Sequence, residues 1–352
     1  MSSTVQALSH RARALIDAAI VWDNHSCMPL RADDNFLPQL ERFRAVGVNI
    51  VSLNIGFAQQ SWEEHVRVLS YMRDWIAKRP SEYCLVASVE DVKRAKAENR
   101  LGVLFDIEGM WPVQDEPWLV KMFYELGVRW MLIAYNQANK AGGGCLDAKD
   151  GGLTRVGRQI IDEMERVGMV LCVTHTGART SAEALDYARN PVIFSHSNPA
   201  AVTRHPRNIS DDLMQKCAGK GGVIGINGIG SFLGATHDNL VEQALKHLRY
   251  AIDLVGSEHI GLGMDYTFDQ EELKEYYRKM PQIFPVGLNT SGGTHVMVSP
   301  EAMIPIIEGL ARTNLTDEQI RGVLGENWLR VATQVWDGPR DAGAHPAMTS
   351  QR

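Results

Sequence analysis

The chain is poor in cysteine, with five in 352 residues, and none of them forms a CxxC pair. Cys27, Cys84, Cys145, Cys172 and Cys217 are an odd and scattered set, which argues against a disulfide scaffold and suits a reducing compartment, the cytoplasm. Cys84 and Cys172 fall inside apolar runs and read as small buried filler. No apolar run approaches the ~20 residues that span a bilayer, so no membrane association is expected. The N-terminal stretch lacks an apolar core of about 7–15 residues followed by a small-residue cleavage site, so no secretory leader is expected. Positive charge is also short. Lys and Arg number 36 against 42 Asp and Glu, a formal net charge of −6, and no basic patch invites nucleic acid. Low-complexity tracts, charge blocks and internal repeats are missing too. What remains, 45% hydrophobic and 22% charged, is the composition of an ordinary folded globular protein.

A strand-then-helix alternation runs through that composition. Candidate strands are Ala19–Asp23, Asn49–Asn54, Gly102–Asp106, Trp130–Ala134, Met169–Thr174, Val192–Ser195, Gly222–Ile226 and His259–Gly263. Amphipathic helices with apolar residues three and four apart are expected over Trp62–Ala77, Pro117–Leu126, Thr154–Val167, Ser181–Ala188 and Leu240–Val255. Glycines in ELGVRW, RVGMVL and KGGVIG stand where helices end before strands begin. Eight such units favour a (β/α)8 TIM barrel, a single α/β domain, over an open doubly wound sheet. An open sheet would also call for a phosphate-cradling GxGxxG after the first strand. None follows Asp23, and GINGIG at Gly225–Gly230 stands after strand seven with no ribose-binding acid near it. Two more helices, over Pro300–Thr313 and Thr316–Val335, extend the barrel at its C-terminal side. Residues 1–336 therefore read as one domain, and 337–352, rich in Pro, Gly and Ala, as a flexible tail.

Five of the apolar runs end on side chains able to bind metal: IVWDNHSC (His25, Cys27), GVLFDIEG (Glu108), MVLCVTH (His175), PVIFSH (His196) and HIGLGMD (Asp265). Such a group at the end of a buried strand must pair, bind a cation or do chemistry. Singly, each is more simply a hydrogen-bonded structural residue or a turn cap. Barrel strands converge at their C-terminal ends, so together these residues read as a metal centre at one mouth. His25 and Cys27, two apart in extended chain, face the same side. Glu108 has two oxygens with which to bridge two cations. His175 and His196 as neutral imidazoles suit zinc or a similar borderline metal. Asp265 could bind metal, accept a proton, or both. Two metals about 3.5–4 Å apart imply hydrolysis of an amide or a related C–N bond. His205, His237, His247, His259 and His295 fall in helices, loops or a strand start and read as structural or surface residues.

Longer stretches resemble the membrane (renal) dipeptidase family of binuclear zinc hydrolases. They are DNHSCMPL, DIEGM at Asp106–Met110, LTRVGRQIIDEMERVGMVLCVTH at Leu153–His175, NPVIFSHSNPAAVTRHPRN at Asn190–Asn208, HIGLGMDYTF at His259–Phe268 and VLGENWLRV at Val323–Val331. They cover nearly the whole chain, and the block from Leu153 to Asn208 is highly specific. The resemblance implies Glu108 bridging two Zn2+ ions, His25 and Asp265 on one, and His175 and His196 on the other. It implies Asp265 as the acid that handles protons, Arg207 as the holder of a substrate carboxylate, and a homodimer. Asn227 and Phe232, after strand seven, are placed by position to line the pocket.

Two positions depart from the family pattern. His-x-Asp is replaced by His25–Ser26–Cys27, so a carboxylate has become a thiol. Cys27 either coordinates as a thiolate or leaves the first site weakened, selective for another divalent metal, or empty. Where the family carries a His after strand four, Tyr135 stands, either as a hydrogen-bond donor to a developing oxyanion or as pocket wall. On that second reading Asn136 and Asn139 serve the loop backbone. The expected function is a metal-dependent hydrolase of a small amide bearing a carboxylate, most simply a dipeptide. A hydrolase of a non-peptide C–N bond, such as a modified amino acid or lactam, is the alternative. A metal-binding barrel that has lost catalysis is the third.

Overall fold

A computed structural model describes residues 9–289 and 295–336; the tail expected at 337–352 and part of the Gly/Thr/Ser-rich loop lie outside them. The described strands are β1 (Trp22–Cys27), β2 (Ile50–Phe57), β3 (Tyr83–Leu85), β4 (Leu101–Glu108), β5 (Val128–Leu132), β6 (Val170–Cys172), β7 (Val192–Ile193), β8 (Ile224–Ile226), β9 (Ile260–Leu262) and β10 (Tyr266–Thr267). Eight of them form the path β7-β6-β5-β4-β2-β1-β9-β8, with every neighbouring pair parallel. A parallel bridge between Phe194 and Ile224 joins the two ends of that path. There the Phe194 amide donates to Val223 O at 3.0 Å, and Gly225 N to Phe194 O at 2.7 Å. The ring is therefore closed, as eight strand–helix units led one to expect. Two short strands were not legible: β3 pairs with the base of β4, and β10 with the end of β1.

Local chemistry sets the helices between. The helix Trp62–Ala77 opens on a capping box, Ser61 accepting from Glu64 N while the Glu64 side chain accepts from Ser61 N. The helix Arg155–Val167 is capped by Thr154 and ends at Gly168, whose φ of 88° lets its amide reach Met164 O. Its buried stripe of Ile160, Ile161, Met164 and Val167 faces the barrel wall, each side chain contributing about 1.5–3 kcal/mol by burial. The helix expected from Ser181 begins earlier, at Ala178, because Gly177 already stands at its N-cap.

Irregularities in the strands aim the interior. Along β1 the partners of Asp23 and Ser26 are Val51 and Leu53, so β1 carries one extra residue there, a bulge that re-aims the side chains beyond it. A second extra residue lies in β2 between Asn54 and Phe57. The C-terminal helices close the opposite end. Asn327 donates to Ser257 O and Ile260 O at 2.7 Å, seating the helix Asn327–Trp336 beneath the strand starts. Trp328 then packs where a side chain on Gly261 would sit, its ring atoms 2.6 Å from that position. The glycines of Gly225–Gly230 are likewise packing residues: a Cβ on Gly225 would lie 2.1 Å from Ser195 O.

Candidate metal centre

All the strand-end residues singled out by the sequence meet at one mouth of the barrel. His175 Nε2 lies 3.0 Å from His196 Nε2, and Glu108 Oε1 lies 3.2 and 3.3 Å from these two nitrogens. His25 Nε2 lies 3.6 Å from Glu108 Oε1 and 3.5 Å from Asp265 Oδ1. Cys27 Sγ is 3.6 Å from His25 Nε2 and 3.9 Å from Asp265 Oδ1. Two ligand triads follow, His25–His196–Asp265 and Glu108–His175–His196, each with donor atoms within 4.8 Å of one another. His196 belongs to both, and its ring stacks on His25 at 4.1 Å.

Each imidazole is held from behind. His25 Nδ1 faces the Asp106 carboxylate at 3.3 Å, which also accepts from Ser52 Oγ at 2.6 Å and Asn54 Nδ2 at 3.1 Å. His175 Nδ1 is 2.7 Å from Asn136 Oδ1, and the amide is oriented because Asn136 Nδ2 donates to Ile283 O at 3.0 Å. His196 Nδ1 pairs with Ser195 Oγ at 2.9 Å. The tautomers assigned from this network put the proton on Nδ1 and turn the Nε2 lone pairs inward. Asp265 is held by Asn227 Nδ2, which donates to Oδ2 at 2.9 Å. His175, Asp265 and Asn136 all have left-handed φ, 62°, 58° and 60°, a strain that collects where geometry serves a site.

The donor set fits a cation and little else. Glu108 Oε1 is buried with no hydrogen-bond partner among the described residues, though three imidazole nitrogens surround it. Burial lowers His175 and His196 well below the ordinary imidazole range, aided by the charges of His25 and Arg207. Burial pushes Glu108 up to about 8, reinforced by the charges of Asp265 and Asp106, and raises Asp265 as well. Burial works against a charged His25, but Asp106, Glu108 and Cys27 outweigh it and raise its pKa. Lone pairs and acids crowded in low dielectric are stabilised by a divalent ion, which reverses the direction of these carboxyl shifts.

A cleft opens above the triads, lined by Cys27, Glu108, His175, Asp265, Arg207 and many apolar side chains. Arg207 is buried and makes no hydrogen bond through Nε or Nη2 among the described residues, with its guanidinium 5.2 Å from the Phe232 ring centre. Tyr135 stacks on His175 at 4.1 Å.

Residues 9–284 match the sequence model of the membrane dipeptidase family, peptidase family M19. The chain belongs to that family. It is 32% identical over 269 residues to an uncharacterized dipeptidase of Schizosaccharomyces pombe, covering 74% of this chain and 59% of that one. It is 30% identical over 253 residues to the dipeptidase VerJ of Clonostachys rogersoniana, with 71% and 60% covered. The chain thus spans about three-fifths of the length of the curated relatives it matches. The crystal structure of an amidohydrolase from Pseudomonas aeruginosa is similar over 93% of this chain and 99% of its own, with 26% identity and a TM-score of 0.83.

Against that family frame, several residues stand differently from their sequence readings. Asn227, expected to line the pocket, is fully buried and holds Asp265, while Phe232 does line it. Asn136 and Asn139 both bond loop backbone, at Ile283 O and at Ile133 O with the Ala141 amide, but Asn136 also orients His175. Asp106 went unassigned, although its place two residues before Glu108 puts it on the same face of β4. The helix Gln270–Lys279, whose Leu273, Tyr276 and Tyr277 stand over the mouth, was not among the expected helices. Arg31 pins it, bonding Glu272 and Asp269 at 2.7 Å each.

Proposed function

We propose that this chain is a metal-dependent hydrolase of a small amide carrying a carboxylate, most simply a dipeptide. One observation carries the reading: two overlapping triads of metal-binding groups meet beside an unpartnered Glu108 Oε1, and the buried Arg207 guanidinium, its Nε and Nη2 without a partner among the described residues, faces the same cavity. His25, Cys27 and Asp265 would hold one ion, His175 and His196 the other, with Glu108 between them. Zn2+ suits the imidazoles and the thiol. Bound there, such ions lower the pKa of water into the neutral range and polarise a carbonyl. Arg207 receives the substrate carboxylate by its two free donors. Asp265, steadied by Asn227, takes a proton from the attacking water and delivers it to the leaving amine. Tyr135 donates a hydrogen bond to the carbonyl oxygen as it gains charge.

Cys27 and Tyr135 favour a second reading, a non-peptide C–N bond as in a lactam or modified amino acid. The thiol is pushed up to about 12 by burial, so only a cation would make it a thiolate. We further propose a homodimer in the cytoplasm. The free state of all five cysteines supports that compartment, and no helix among the described residues is long and apolar enough to cross a membrane. The deciding experiment combines metal analysis of the purified protein with hydrolysis of a dipeptide panel before and after chelation. Two equivalents of metal and chelator-sensitive cleavage are expected. No metal uptake, or cleavage that chelation leaves untouched, ends the proposal. Dipeptide cleavage that rises in Cys27→Asp points to the second reading.

A further inference from the structure

The cavity is lopsided, and the asymmetry indicates the substrate. Around the closed ring, β7 and β2 are four strands apart out of eight, hence on opposite sides of the mouth. Arg207 follows β7. At the end of β2 stands Phe57, with Tyr135 and Tyr276 each 5.0 Å away and Phe284 at 5.9 Å. Phe284 also packs against Tyr135 at 5.9 Å and Tyr277 at 5.0 Å. All five rings line the cavity. They form a continuous aromatic wall that starts on the metal ligand His175 and runs out to the helix Gln270–Lys279.

This wall offers no free charge. Glu272, its carboxylate, is engaged by Arg31 Nη1 at 2.7 Å and the Leu30 amide at 3.2 Å. Arg31 is in turn engaged by Glu272, Asp269 and Asp33. A charged side chain placed here would lose its water and gain no partner. An aromatic or bulky aliphatic one would be packed by π faces and edges.

Resting on the hydrolase reading above, we propose that the five-ring wall opposite Arg207 is the pocket for the side chain on the acyl side of the scissile bond. The substrate is then a dipeptide whose N-terminal residue is bulky and uncharged, aromatic for preference, with its C-terminal carboxylate at Arg207. The ring of strands places the metal ligands between these two ends, so such a molecule spans the mouth with its amide over the centre.

The test measures kcat/KM of the metal-loaded protein on dipeptides ending in alanine and beginning with phenylalanine, leucine, glycine or lysine. Phenylalanine and leucine should exceed glycine by at least about tenfold, the scale of a filled apolar pocket, and lysine should be poorest. Tyr276→Ala should shrink the phenylalanine preference. Tyr276→Leu, which retains apolar volume, should preserve much of it. A readout independent of turnover is calorimetric binding of phosphinate isosteres with a benzyl group or hydrogen at the first position. Equal affinity of the two isosteres, or glycine-first or lysine-first substrates turned over fastest, overturns the pocket. Tighter binding of the benzyl isostere with no dipeptide hydrolysed supports the pocket and defeats the hydrolase reading instead.

Discussion

The two ends of the barrel are built from the same strands under opposite rules. At the N-terminal end, Trp22, Trp130, Trp328 and Trp336 fill the bore with Val170, Ile193 and Val331, all nearly inaccessible to water. At the C-terminal end, carboxylates and imidazoles stand 3.0–3.6 Å apart with left-handed backbone beneath two of them. One strand shows the change. In β4 the inward residues run Leu104, Asp106, Glu108: packed floor, hydrogen-bonded support, carboxylate oxygen without a partner among the described residues. β2 runs Ile50, Ser52, Asn54 in parallel. The floor gains stability from buried area, and this offsets what the mouth loses by crowding charge. Trp130 joins the halves, its ring 5.5 Å from that of His25.

Asp265→Asn tests the mouth most severely. The amide keeps the size and the bond to Asn227 but cannot carry a proton, so kcat should fall by about 10²–10⁴-fold. The melting temperature, governed by the floor, should hold or rise, since a strained buried carboxyl is removed. Steady-state kinetics beside thermal unfolding reads both, and unchanged kcat removes Asp265 from the chemistry. Trp328→Ala attacks the other end. Emptying an indole from the floor should cost about 3–5 kcal/mol of stability. Metal bound per folded molecule should stay constant. Loss of metal in step with stability would mean the two ends are not separable.

The contrast also explains what the residues alone revealed. The floor and the eight principal strands were legible because apolar runs of four or more residues carry their own periodicity. The gathering of His25, Glu108, His175, His196 and Asp265 was legible because a polar group at the end of such a run has no bland explanation when repeated five times. The supports were not. Asp106 lies inside an apolar run and looks like part of the motif around Glu108. Asn136 and Asn227 acquire meaning only when loops far apart in sequence bring them behind His175 and Asp265. The bulge that turns His25 and Cys27 inward leaves no composition signal, because it is a relation between β1 and β2 and not a property of either. The aromatic wall was hidden for the same reason: Phe57 ends β2, while Tyr135 and Phe284 come from two separate loops.

Asp106→Asn gives a milder and more exacting trial of the same comparison, because Asp106 stands on the boundary between floor and mouth. The substitution preserves shape, but the amide can satisfy Ser52, Asn54 and His25 only by sacrificing an acceptor. His25 then loses the charge that orients its ring and strengthens its Nε2 lone pair. Second-layer changes of this kind cost about 10–100-fold in metal affinity or activity. The loss should appear in the affinity of the His25 site, read by titration with a coloured chelator, while the ion held by His175 and His196 is retained. Glu108 should also shift, since Asp106 is one of the charges raising its pKa. If both ions weaken equally, the two triads act as one unit through His196. If neither weakens, Asp106 belongs to the floor, as a buried acid whose partners are merely structural.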